Sequence, residues 1–150
     1  MVGKIKDRII EAKVNYYLSA INKIWGKGGG LEFKEVRDSK ARAPELKKKE
    51  EAERILKAIP KESVLWVFDQ QGKEFTSPEL AQKIEKSIGQ GRELAMVLGG
   101  AYGLDEKIKE KAEEVIALSR LTFPHELAGL ILVEQIYRAI AIIKRIPYHH

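Results

Sequence analysis

The chain has 150 residues, 44% of them hydrophobic and 33% charged, with a formal net charge of +5 and no cysteine. That balance describes one folded domain over residues 1–150 with its own core, and it is wrong for a disordered chain. It excludes disulfides, thiolate nucleophiles and thiolate metal sites, and no metal is expected. No apolar run reaches membrane-spanning length and "MVGKIKDR" lacks the apolar centre of a signal peptide, so a cytoplasmic address with no membrane partner is expected.

Charge is spread unevenly. Residues 1–60 hold 15 Lys/Arg against 9 Asp/Glu, whereas residues 61–150 hold 12 against 13. A basic half suits a polyanion surface, or equally the solvated faces of Lys-rich helices such as "ELKKKEEAER".

In chain order, Ile9, Ile10, Val14, Tyr17, Leu18, Ile21 and Ile24 stand at helical spacing over 7–25, with Asp7 as a cap and "GKGGG" as a stop. "LEFKEV" (31–36) alternates apolar and charged residues and predicts a strand. Pro44 opens an amphipathic helix over 44–59, ended by Pro60. "SVLWVF" (63–68) and "LAMVLGG" (94–100) are short apolar runs, expected of strands covered on both faces. Between them lies a helix with Ser77 as its cap and Pro78 at its first turn. A further helix is predicted over 105–116, followed by the short run "ALSRLTF". Last comes a helix over 124–145, apolar on nearly every side, which must be buried between the sheet and something else, such as a second subunit.

Strands alternating with helices give an α/β class with a mainly parallel sheet and helices on both faces. Ligands in such sheets bind beyond the carboxyl ends of the strands. Three loops leave such ends here: "DQQGKEF", "GGAYGL" and "SRLTFPH". Gly99, Gly100 and Gly103 suit either a ligand lying on bare backbone or a tight packing turn. His125 opens the last helix, where the positive helix end disfavours a cation, so a neutral imidazole able to accept a proton competes with a plain capping role. Glu134 and Arg138 form an i,i+4 pair that needs further partners in so apolar a helix. The terminal "IPYHH" reads on its own as a frayed end.

Taken together, "VLGGAYGLD" (97–105), "LSRLTFPHELAGLILVEQIYRA" (118–139) and "PYHH" (147–150) resemble the RlmH family, with "VGKIKD" and "DQQGKEFTSPELA" also in place. These are SPOUT-class methyltransferases of large-subunit ribosomal RNA that act on N-3 of a pseudouridine. The resemblance implies a C-terminal trefoil knot, a homodimer packed through the last helix, and S-adenosylmethionine bound by the knot loops. By position, the cofactor residues would be Phe68, Gly100, Ser119, Arg120, Leu121, Thr122, Phe123 and Pro124. His125, Arg138, Tyr148 and His149 would serve catalysis and the RNA, either histidine being a candidate proton acceptor. The tail would then dock beside the cofactor loops, where a twin subunit completes the cleft.

Two departures accompany the match. Met1-Val2-Gly3 stands near the end of the family's first strand, and Gly129 replaces an Arg that many members carry. They motivate an alternative: a ribosome- or RNA-binding protein of the same fold with lost or weakened turnover.

Overall fold

The computed structural model describes residues 1–26 and 29–148. Asp7 begins the first helix, its carboxylate accepting hydrogen bonds from the Ile9 and Ile10 N–H groups, and α1 runs Arg8–Trp25. Gly26 ends it at φ 73°, a left-handed value that glycine adopts without a Cβ clash. Helix α2 spans Pro44–Ala58, with its proline in the first turn, where no backbone donor is missed.

Strand β1, Val64–Glu74, is central, flanked in parallel by β2, Leu94–Leu98, and β3, Glu114–Ala117. Side chains alternate across it. Val64, Trp66 and Phe68 join the core formed with α1, α3 (Ser77–Gly89) and α5 (His125–Ile143). Leu65 and Val67 face the other core, with α2 and α4 (Glu106–Lys109). Each large apolar side chain so buried contributes about 1.5–3 kcal/mol. The parallel sheet with helices on both faces is therefore as the sequence implied.

Several boundaries differ from the sequence reading. Thr76 caps α3, not Ser77. The Thr76 hydroxyl accepts from the Glu79 N–H and the Glu79 carboxylate accepts from the Thr76 N–H, a reciprocal pair that needs a spacing of three. The helix predicted over 105–116 shrinks to α4, because Val115 and Ile116 pair with Val67 and Phe68 of β1. The strand predicted over 31–36 is a single bridge, Val36 to Val2. Leu31 and Phe33 do pack on the core, but the Leu31 backbone is met by the Asn22 side chain rather than by a neighbouring strand. Strand β1 runs on through "DQQGKE", read above as a loop.

Two features position the site. Residues 1–3 add one rung beside β2, Val2 N donating to Leu98 O at 3.1 Å and Gly3 N to Val36 O at 2.8 Å. Beyond that rung, an apolar cavity of about 570 Å³ follows the outer edge of β2, walled by Leu31, Phe33, Leu132 and Ile136 among others. Gly129 is buried there, and a Cβ on it would stand 2.8 Å from the Met1 sulfur, so this glycine makes room for Met1. The second feature is a register break in β1: both Phe68 and Lys73 align with Ile116, so residues 69–72 loop out across the end of β3.

Gly72 is what allows that crossing. A Cβ there would lie 2.5 Å from the Ile116 carbonyl carbon and 2.6 Å from its nitrogen, and backbone cannot yield as a flexible side chain can. Gly72→Ala is expected to cost about 3 kcal/mol, an overpacking penalty at the top of its usual range. The shift in denaturant midpoint measures it.

Candidate functional site

Parallel pairing brings the carboxyl ends of β1, β2 and β3 to one edge, where a cleft of about 550 Å³ opens. Phe68 to Gln71 line it from β1, Leu98 to Leu104 from the glycine turn, and Leu118, Ser119, Leu121, Thr122 and Phe123 from the segment after β3. His125, the first residue of α5, closes this wall. Its ring rests on Gly3, where an added Cβ would meet Nε2 at 3.3 Å. Of the residues assigned to the cofactor by sequence, Phe68, Gly100, Ser119, Leu121, Thr122 and Phe123 thus share one cleft. Arg120 turns outward and its Nε donates to Glu74 Oε2 at 3.2 Å, while Pro124 caps α5 beside the lining.

The glycine turn is tight. Gly103 N donates to Gly100 O at 3.0 Å, and Gly103 takes φ 77°. Gly99 is needed for packing, since a Cβ there would press Leu104 Cγ at 2.8 Å. Gly100 behaves differently from the expectation that its missing Cβ clears space for a ligand. That Cβ would point away from the cleft, to Val2 at 3.2 Å and Glu51 Oε2 at 3.4 Å. Of the two readings of these glycines, the tight turn is the one that this packing supports.

Sequence reasoning missed an ion pair on the cleft wall. Lys109 Nζ lies 3.1 Å from Asp69 Oδ2, with side chains only 17% and 10% exposed. Burial works against the Lys109 charge, but Asp69 and Glu106 outweigh it and hold its pKa above the ordinary value. The signal was present in "DQQG", a charged and amide-rich exit from an apolar strand, but its partner sits 40 positions away on α4.

The remaining assigned groups lie elsewhere. Arg138 stands thirteen positions after His125 on a continuous helix, a rise of about 20 Å. Arg138 Nε and Nη2 donate to Glu134 Oε1 at 3.1 and 2.6 Å, and Tyr148 OH donates to the same oxygen at 3.1 Å. Gln135 Nε2 serves the other carboxylate oxygen at 2.6 Å. The further partners that the charge pair needs are thus an amide and a tyrosine. After α5, Arg145 at φ 53° and the Ile146 N–H to Ala141 carbonyl bond turn the chain back along the helix. Tyr148 then meets Tyr137 edge-on at 4.6 Å, the Arg138 guanidinium at 4.9 Å and the Tyr17 hydroxyl at 3.3 Å. The tail is docked, but on α5 and α1 rather than beside its own cofactor loops. His149 lies outside the described residues.

The family profile described as "Predicted SPOUT methyltransferase" matches residues 1–149. The chain belongs to the SPOUT methyltransferase family. Among its relatives, the protein named Ribosomal RNA large subunit methyltransferase H from Caldicellulosiruptor saccharolyticus is 39% identical over 148 residues, covering 99% of this chain and 96% of the relative. Proteins of the same name from Geobacter sulfurreducens and Geotalea daltonii are 39% and 37% identical over 150 residues, each covering 99% of this chain and 95% of the relative.

A SPOUT methyltransferase needs room for a methyl donor, and this cleft suits one of nucleoside size. Its volume falls within the roughly 300–1,000 Å³ of small-ligand sites. Phe68, Leu98, Leu104, Leu118 and Phe123 supply apolar walls, with Ser119, Thr122 and the Asp69–Lys109 pair as polar groups. No described helix is long and apolar enough to cross a membrane.

Tyr148 provides a test of the tail. Burial, then the Tyr17 hydroxyl, then Glu134 raise its pKa above the ordinary phenol value. Tyr148→Phe is expected to cost about 1 kcal/mol at neutral pH through the lost hydrogen bond. A raised folded-state pKa means stability fully present below the unfolded value and lost above it, so the difference between the two proteins should shrink as pH climbs past about 10. Denaturant melts at pH 7 and at alkaline pH measure both effects.

Proposed function

We propose that this chain transfers a methyl group from S-adenosylmethionine to N-3 of a pseudouridine in large-subunit ribosomal RNA, acting as a homodimer in the cytoplasm. The observation that carries the reading is the cleft at the three strand exits with His125 on its wall, in a chain sharing 39% of its residues with ribosomal RNA methyltransferases. When bound, the cofactor supplies a methyl group on a positively charged sulfur that becomes neutral on transfer.

The residues have distinct work. Phe68, Leu118 and Phe123 exclude water, and an apolar wall does not oppose a reaction in which charge on sulfur disappears. The Gly100 backbone and the Ser119 and Thr122 hydroxyls orient the cofactor, with Arg120, Leu121 and Pro124 completing the loop that holds it. His125 accepts the proton that N-3 must lose, a role for which it stands on the correct wall. Holding donor and acceptor in line supplies much of the remaining acceleration.

Arg138 and Tyr148 are too far along α5 to serve their own cleft. A second copy brings them in. The outer side of α5 still carries Leu127 at 36% exposure, with Leu130 and Ile131 half-buried, and α1 adds the exposed Ile9 and Tyr16. Two such faces, packed with the helices antiparallel, would bring one chain's Tyr148 towards the other's His125. The C-terminal trefoil knot that the family resemblance implies is part of the same proposal.

Loss of turnover gains no support from Gly129. The glycine lines the apolar cavity along β2 and not the strand-exit cleft, so it leaves no gap in that cleft's wall.

Ribosomes lacking the modification, incubated with the protein and labelled S-adenosylmethionine, should become labelled at one pseudouridine of the large-subunit RNA. Deleting residues 148–150 should lower that rate by about a hundredfold or more, the scale of a lost acid–base or positioning group, while cofactor binding and the dimer survive. Label on another nucleotide, or full activity of the truncated protein, would contradict the reading.

A further inference from the structure

The rim of the cleft carries an aromatic residue that neither fold nor methyl transfer explains. Ala101 and Tyr102 form the tip of the Gly100–Gly103 turn, and both are exposed. Tyr102 keeps 55% of its surface in solvent although it lines the cleft. Lys47 of α2 holds its ammonium 5.5 Å from the centre of the Tyr102 ring. Lys48, the next residue, lines the cleft itself and pairs with Glu45 at 2.8 Å. On the opposite lip Leu121 is 72% exposed.

We propose that Tyr102 is a stacking platform for an unpaired base next to the target nucleotide, with Lys47 and Lys48 receiving the adjoining phosphates. The inference rests on the ribosomal RNA reading above and adds residues that it does not require. Exposed aromatic rings flanked by cations are the usual device for holding single-stranded nucleic acid, because every base has a face to stack and every linkage a charge. The chemistry fits RNA better than a protein partner. The ring stands alone between lysines and glycines instead of inside a contiguous apolar patch. These lysines also belong to the half of the chain that carries the positive excess. Position decides which base is held. The target must reach the cleft floor beside His125, whereas Tyr102 is on the rim, so it meets a neighbour that is splayed out when the target enters.

Binding and turnover on purified large ribosomal subunits lacking the modification test the platform. Tyr102→Ala should raise both Kd and KM for the subunits about tenfold, the usual scale of one lost base stack, with much less effect on kcat. Tyr102→Phe should restore affinity, since the ring and not the hydroxyl acts. Lys47→Gln should weaken binding and reduce the steepness of its salt dependence by about 0.7–0.9, the share of one phosphate contact. S-adenosylmethionine affinity, measured by calorimetry, should stay constant throughout. An unchanged Kd and KM in Tyr102→Ala, or a Tyr102→Phe variant as weak as Tyr102→Ala, would overturn the platform while leaving the methyltransferase reading intact. A wild-type protein that binds cofactor but neither binds nor methylates the subunits would instead overturn that reading and the platform with it. A photocrosslinking amino acid at position 102 should capture ribosomal RNA; capture of a ribosomal protein in its place would also overturn it.

Discussion

A continuous helix holds its residues at fixed distances, and α5 imposes that constraint on the whole molecule. Leu132, Val133, Ile136, Ala139 and Ile140 are buried along it, making it the centre of the larger core between α1, α3 and the sheet. It cannot bend or slide without opening that core. Its first residue, His125, is therefore fixed at the cleft, while Glu134 and Arg138 are held about 14 and 20 Å along the axis, with Tyr148 docked on them. The proposal of a two-chain site follows from this rigidity. His125 and Arg138, assigned to one reaction, are held apart by the helix that carries them both.

The sheet imposes the complementary constraint. Parallel strands must end on the same edge, so three sequence-distant loops meet there without any one of them being long. Gly72 lets residues 69–72 cross β3 at backbone contact, which keeps the β1 exit against the segment after β3. The Asp69–Lys109 pair then ties that exit to α4 on the cleft wall. Taking two charges this far out of water costs free energy that their mutual attraction only offsets, so the pair is better explained by positioning than by stability. Glu126 plays a similar part outside the cleft. Its carboxylate accepts from the Lys6 and Asp7 N–H groups, which fix the start of α1 against α5 and hold its pKa below the ordinary value.

Much of this was legible in the sequence, for identifiable reasons. Apolar runs such as "VLWVF" and stop signals such as Gly26 act locally, so β2, α1 and α2 emerged close to their true bounds and β1 did so at its start, while its extension through Glu74 did not. What escaped depended on partners distant in the chain. "EVIA" has the spacing of a helix end until Val115 and Ile116 find β1. "LEFKEV" has strand alternation but meets the sheet only at Val36. Gly100 was legible as a cleft residue, yet the direction of its missing Cβ depends on Val2 and Glu51. The family motifs placed His125 and the residue 119–123 segment together and the last helix emerged within two residues of its bounds, but the turn at Arg145 that folds Tyr148 back onto α5 has no local signal.

Subunit mixing tests the proposal that each cleft is built by two chains. A His125→Ala protein would lack the acceptor in every cleft, and an Arg138→Ala/Tyr148→Ala protein would lack the partner's contribution in every cleft. If sites are shared, a mixed dimer rebuilds one complete cleft from the intact half of each chain. Random exchange of equal amounts should therefore recover about a quarter of wild-type methylation from two parents that are nearly inactive alone, the statistical share for a two-fold assembly. A mixture as inactive as its parents, despite demonstrated exchange, would show that each chain contains its whole site and would rule out a shared cleft.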